Sequence, residues 1–388
     1  MTTILLVVIY IAFISLGVPD SLLGATWPSM YPALGVPVSF AGVIAVITTG
    51  GTILASLRSA WLIRRFGTGA VTAVSVGLTA AALLGFSVAP SAAWLCLCAV
   101  PLGLGAGSVD AALNNFVALH YNAMHMSWLH CFWGVGATLG PLVMARCMGV
   151  NHNWIAGYRV IGLMQIVLVI VLVCALPMWR KMEPVTPRQE PQKKSETGIA
   201  LLRLPGAKEA LLSFTCYCAV ETTTGLWAGS YLLLQCGLSA ESAAQWTSAF
   251  YFGITAARFV CGFLTLRLSD QTLVRAGQIL IAAGTVTLLL PLTAVAGGSG
   301  FFLIGLGCAP IFPCLLHGTP HHFGSENSGA MMGLQMASAY VGSAVVPPLF
   351  GLVAQYVSIA LMPYCLGFLL VVMVLMTERL NHKTAHRA

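Results

Sequence analysis

Residues 179–208, WRKMEPVTPRQEPQKKSETGIALLRLPGAK, are the longest polar stretch in a chain of 388 residues, and they divide its apolar runs into two equal sets. Rich in proline, lysine, arginine and glutamate, the stretch reads as a linker with too little apolar surface to fold alone. Working outward, six runs precede it, at 3–27, 39–63, 69–89, 92–118, 127–148 and 156–177, and six follow, at 209–234, 242–266, 272–294, 298–319, 326–352 and 358–378. Each approaches the roughly 20 apolar residues that a spanning helix needs. The whole chain is 58% hydrophobic and 7% charged, against about 25% charged residues in a soluble domain. Lipid admits only helices or closed barrels, because backbone polar groups must be satisfied internally, and a barrel would show alternation over shorter segments. The expected fold is therefore an all-α membrane protein of twelve transmembrane helices. Its expected parts are a six-helix bundle over 1–178, a cytoplasmic linker over 179–208, and a second six-helix bundle over 209–388 that ends in a short cytoplasmic tail.

The formal net charge of +7 marks orientation and not a nucleic-acid partner, since the basic residues are sorted by loop. With an inside N-terminus, Arg64 and Arg65, Arg267 and Arg275, and Arg379, Lys383 and Arg387 all fall on the cytoplasmic side. So do Arg180, Lys181, Arg188, Lys193, Lys194, Arg203 and Lys208, while Arg146 and Arg159 lie near outer loops. The positive-inside rule then places both termini in the cytoplasm of a multi-pass plasma (inner) membrane protein. The first run lacks a basic leader and a small-residue cleavage site, so it reads as a retained helix. Twelve cysteines are scattered through the spans; pairs such as Cys96/Cys98 and Cys216/Cys218 face different sides of a helix, which leaves no metal site and points to packing.

Against this apolar background, three carboxylates stand out within the spans: Asp20, Asp110 and Glu221. Each costs about 2.5–3.5 kcal/mol to insert on translocon scales, and such acids usually face a water-filled path for a proton, ion or polar solute. The fourth run holds GLGAGSVDAALNNF over 103–116, where Asp110 and Asn114 lie one turn apart on one face. A small-residue stripe with a carboxylate and an amide can also be a close helix contact held by polar side chains. On the first run Phe13, Gly17, Asp20, Gly24 and Trp27 share a face, with Pro19 removing a backbone donor beside the acid. Asp20 can alternatively snorkel to the outer surface.

Sliding the second half over the first by 202 residues superposes Gly35 on Gly237, Gly51 on Gly253, Arg65 on Arg267, Gly103 on Gly305 and Gly105 on Gly307; an offset of 206 then pairs Gly136 with Gly342 and Pro141 with Pro347. Two pseudo-symmetric six-helix halves of parallel orientation resemble the major facilitator superfamily, whose solute site lies between the halves near mid-membrane. Asp110-Ala111-Ala112-Leu113-Asn114 further resembles the acid-x-Ala-x-Asn motif on the fourth helix of the fucose permease branch of sugar:proton symporters, and Gly17-Val18-Pro19-Asp20 resembles the stretch around that branch's first-helix aspartate. The resemblance implies that Asp20 helps receive substrate and that Asp110 takes and gives the coupling proton. The branch usually has Glu at the position of Asp110 and Pro at that of Asn115, and Arg64 stands where the superfamily's loop motif has an acid.

The remaining candidates follow from helical faces. Tyr217, Glu221, Thr224, Gly225 and Ala228 form one face of the seventh run, where Tyr217 can hold Glu221 neutral and Glu221 either meets solute or protonates; Trp227 lies on another side. His130 and Trp133 share a face of the fifth run, and Gln335 and Ser338 one of the eleventh. Each has a bland reading too: histidines pack, and tryptophans mark membrane interfaces. The expectation is thus a proton-coupled symporter of a monosaccharide or similar small polar solute, a monomer without cofactor. Asp110, Asp20 and Glu221 would handle protons, and Asp20, Asn114, His130, Trp133, Tyr217, Glu221, Trp227 and Gln335 would contact solute. A proton-driven exporter of drugs or metabolites and a transport-inactive sensor are the rival readings; a sensor would usually append a soluble domain. No nucleotide-binding Gly-rich loop or catalytic constellation is present in the sequence, so the chain is not expected to be an enzyme or an ATP-driven pump. A fluorescent protein that matures only in the cytoplasm, fused after Ala388, is expected to fluoresce, and an alkaline phosphatase fused there to stay inactive.

Overall fold

A computed structural model describes residues 2–121, 123–151, 153–182, 198–265, 267–290 and 294–384. The first half consists of α1 (Thr2–Ala33), α2 (Phe40–Phe66), α3 (Thr68–Phe86), α4 (Ala92–His120), α5 (Ala123–Asn151) and α6 (Trp154–Met182). The second consists of α7 (Ala207–Leu234), α8 (Ala240–Leu264), α9 (Asp270–Leu289), α10 (Ala294–His317), the one-turn α11 (Thr319–Phe323), α12 (Ser325–Val353) and α13 (Met362–Thr384). Among the described residues there is no strand, and twelve of these helices are long. Several extend past the apolar runs, since a helix continues through the headgroup layer once begun.

Ten segments are long and apolar enough to cross a membrane, the last of them, Ala330–Thr384, passing through both α12 and α13. The long helix missing from that set is α7. It carries Lys208, Glu209, Glu221 and a series of hydroxyls, and most of its residues are buried in protein, where lipid does not test their polarity. Of the expected linker, 183–197 lie outside the described residues. Its flanks are helical: residues 179–182 end α6, and Gly198–Arg203 form a 3-10 turn whose Leu201 packs with Phe323 and Leu380.

Side-chain caps start several helices, with Ser91, Ser239 and Ser269 accepting from the backbone N–H of Trp94, Ser242 and Thr272. Gly35 and Gly237, at φ 64° and 68°, turn the chain after α1 and α7 in the left-handed region. Within the first half α1 packs on α5, α2 on α4, and α3 on α4 and α6; within the second α7 packs on α12 and α13, and α10 on α8 and α9. The halves meet along α1–α7, α2–α12 and α5–α8.

The glycine repeat in the sequence is a repeat of contacts. A Cβ at Gly103 would collide with the carbonyl oxygen of Thr48, and one at Gly305 with that of Phe250, the position 202 residues beyond Thr48. Gly136 is likewise pressed on the carbonyl of Ile14, and Gly342 on that of Thr215. Helices in lipid gain most of their association from such close backbone approach, because the surrounding lipid is as apolar as their side chains. Gly103→Val, which inserts a branched side chain at a backbone contact, is expected to destabilise by about 1–3 kcal/mol or more and to lower the melting temperature in detergent. Gly77→Ala, where an added Cβ meets nothing within 4 Å, is expected to leave it unchanged or raised.

Candidate functional site

Between the halves lies a cavity of about 780 Å³, walled by α1, α2, α4 and α5 on one side and α7, α8, α10 and α12 on the other. Its lining reaches the terminal turns of α5, α8 and α10 on the face that carries the chain's two ends, at Met126, Thr265 and Leu316. Toward the other face it stops beneath Gly24, Leu226 and Pro347, with a recess into the first half bounded by Leu83, Phe86, Leu102 and Tyr158. Beyond that level the halves touch. Gly24 abuts the Gly225 carbonyl, Gly42 abuts Pro348, Ser39 donates to Gln355, and Ser248 Oγ donates to Thr138 O at 2.7 Å. The conformation is open to the face of the termini and closed to the other.

Asp20 is placed by a backbone repair. Pro19 has no N–H to give to the carbonyl of Ser15, four residues earlier, and Gln165 Nε2 donates to that oxygen at 2.7 Å instead. Gln165 is itself buried and accepts from Thr79 Oγ1 at 3.3 Å, so α3, α6 and α1 are fixed together just under the acid. The carboxylate of Asp20 reaches the cavity and accepts a hydrogen bond from Trp133 Nε1 at 2.8 Å. Over the Trp133 ring, 5.4 Å from its centre, stands the guanidinium of Arg258. Arg258 Nη2 lies 3.5 Å from Glu221 Oε1, with both side chains about 15% exposed. Four side chains from α1, α5, α8 and α7 thus form one polar chain across the interface between the halves.

Asp110 lines the same cavity on α4, where Asn114 Nδ2 donates at 2.9 Å both to its carboxylate and to its main-chain oxygen. Among the described residues neither Asp20 nor Asp110 has a basic partner: the ion pairs are Arg258–Glu221, Arg275–Glu378, His317–Asp270 and Lys383–Glu209. His130 is on the wall with its ring edge against Phe13, at 5.9 Å between centres.

Of the residues expected to contact solute, Asp20, His130, Trp133 and Glu221 line the cavity and four others do not. Asn114 is occupied by Asp110 and orients that acid. Tyr217 is fully buried among Phe214 and Phe312, its hydroxyl beside the Arg258 guanidinium; Glu221, which it was expected to hold neutral, has Arg258 as its counter-charge. Trp227 is fully buried and donates from Nε1 to Pro347 O at 2.8 Å, so it joins α7 to α12. Gln335 is 1% exposed and accepts from Thr319 Oγ1 at 2.9 Å, tying α12 to α11. In each case the side chain turns toward a partner within the protein, on another helix for the last three, and not toward the cavity.

The sequence reading missed Arg258, Tyr251, Tyr340 and the hydroxyls Thr48, Thr49 and Thr52, all on the wall. Arg258 carries the same signal as the three acids, a charge in the middle of an apolar run. The threonines carry none, because helices in membranes use hydroxyls for packing as often as for function.

Residues 9–347 and 210–387 match the family model described as Major Facilitator Superfamily. The chain is 24% identical over 390 residues to Bypass of stop codon protein 6 of Saccharomyces cerevisiae, covering 91% of this chain and 77% of that one. It is also 24% identical over 355 residues to the Glucose/mannose transporter GlcP of Bacillus subtilis, covering 88% and 86% respectively. Among solved structures, a peptide transporter POT in complex with sulfate matches with a TM-score of 0.78 at 15% identity, over 98% of this chain and 95% of that chain, a likeness of fold. Trp133→Phe keeps the ring and deletes the N–H given to Asp20, and is expected to raise the KM for solute uptake about 3- to 10-fold with little change in melting temperature.

Proposed function

The chain belongs to the major facilitator superfamily, and from that footing we propose that it is a symporter that carries a monosaccharide or similar small polar solute together with a proton. That it is a multi-pass membrane transporter and not an enzyme follows from the family. The finer reading rests on one observation: Asp20 and Asp110 face a single cavity between the two halves and have no basic partner among the described residues. A carboxylate with no counter-charge must keep its water or give up its charge when the site around it closes. Here water reaches the cavity from one face only, so protonation and closure are tied to each other. The printed name of GlcP, a glucose/mannose transporter, supports a sugar as the solute class. A cavity of about 780 Å³ is also within the roughly 300–1,000 Å³ of small-molecule sites.

In the proposed cycle Asp110 is the proton site. Asn114 holds its carboxylate in place and Asp20, oriented by Trp133, receives solute hydroxyls. Solute and proton drive the change of access only insofar as they bind the two states with different affinity. With Asp110 and Asp20 both ionised the cavity holds an excess of negative charge, which opposes closure; one proton reduces that excess, and the solute contributes contacts from both halves. Both termini are proposed to be cytoplasmic, in the plasma membrane, which makes this conformation the one open to the cytoplasm, and the proposed unit is a monomer.

In proteoliposomes with an alkaline interior, the native protein is expected to accumulate labelled solute, and an uncoupler to abolish accumulation. Asp110→Asn, which cannot exchange a proton, is expected to lose uphill uptake while retaining counterflow of labelled against unlabelled solute. Uphill uptake by that variant at the native level removes Asp110 from coupling. Efflux of solute driven by proton entry identifies an exporter instead.

A further inference from the structure

Arg258 is a largely buried arginine whose contacts, a long ion pair to Glu221 and the neighbouring Tyr217 hydroxyl, leave part of its fork of five N–H donors unfilled. Its side chain is 15% exposed, and its one ion-pair contact, to Glu221, is 3.5 Å long, against about 2.7–2.9 Å for a well-formed charge-assisted bond. The protein supplies its own comparison in Arg275. At the surface of the second half, Arg275 closes both arms of its fork on Glu378, with Nε and Nη2 each 2.6 Å from a carboxylate oxygen. There one arginine joins α9 to α13 with its fork filled. At Arg258, far less exposed and therefore more in need of partners, it is not.

The group is held ready all the same. The guanidinium stands over the Trp133 ring, 5.4 Å from its centre, with Glu221 in one loose contact and the buried Tyr217 hydroxyl beside it. Arg258 lines the cavity. A planar fork with free donors in a partly dry cavity matches a carboxylate, which accepts two parallel N–H bonds from it. Within the same cavity Asp20, Thr48, Thr49 and Tyr340 offer acceptors and donors suited to hydroxyl groups.

We propose that Arg258 anchors a carboxylate of the transported solute, and that the solute is a hydroxylated acid, of the kind a hexuronate represents, in preference to a neutral sugar. The inference rests on the transporter reading above and sharpens its solute class. Glu221 is then an internal stand-in, which sits loosely on the guanidinium until a solute carboxylate displaces it.

Matched pairs test this: glucose against glucuronate and galactose against galacturonate, each assayed for thermal stabilisation of the purified protein and for competition in proteoliposome uptake. The uronates are expected to bind on the order of 10- to 100-fold more tightly than their hexoses. Arg258→Gln should erase that preference, Arg258→Lys should retain part of it, since the charge stays and the fork does not, and Glu221→Gln should tighten uronate binding by removing the competitor. Equal or stronger binding of the neutral hexoses overturns the inference, as does failure of both sets to bind, or an unchanged preference in a folded Arg258→Gln protein. The coupling reading is judged separately, because hexose uptake that depends on a proton gradient and on Asp110 leaves it standing while the carboxylate anchor falls.

Discussion

A charge inside a bilayer must be met by water, by an opposite charge or by a proton, and the architecture of this protein is arranged around four groups that answer that demand differently. Glu221 and Arg258 meet each other, loosely. Asp20 has an indole N–H and Asp110 an amide, both of them neutral donors that orient a carboxylate without cancelling its charge. These groups cannot be enclosed dry, and at their level the two halves leave a cavity between them even though Trp133 and Arg258 touch across it. Helix choice follows the same logic: α7, the long helix least able to face lipid, is the one most fully wrapped by protein.

Around that polar centre the apolar protein is ordered by glycine. The contacts of Gly103 and Gly305, and of Gly136 and Gly342, bring backbones together at corresponding places in the two halves. They set helix spacing where side chains alone would leave it free to slide. Pro19 shows the converse device, in which a missing backbone donor is replaced by Gln165 from another helix, so that a local defect in α1 becomes a tie beneath Asp20.

The helical fold and the repeat were legible because both are written in periodicity: apolar runs of spanning length, a polar interval, and glycines at constant offset. The acids were legible because their insertion is costly wherever they point. Side-chain partners were less so. Gln335 shares a face with Ser338 and Trp227 lies off the face of Glu221, but only the packing of α12 decides that Trp227 meets the Pro347 carbonyl and Gln335 meets Thr319. Asn114 could be placed beside Asp110 by helical spacing alone, though not distinguished as the acid's partner from a wall residue. Arg258 is the instructive miss, since the argument applied to three acids applies unchanged to a base, and sorting the basic residues by loop left it out of view.

The far side of the cavity is closed by backbone contacts, Gly24 on the Gly225 carbonyl and Gly42 on Pro348, by a few hydroxyls and by an apolar cluster that runs through both halves, with no ion pair joining the halves among the described residues. Such a closure is made of backbone contact and apolar packing, which hold without charge and can part without leaving a charge unpaired. Reversing a population from 1:99 to 99:1 needs about 5.5 kcal/mol of differential binding, within reach of one well-held small molecule. A fastening without charges leaves the charged cavity and its cargo to decide which door stands open.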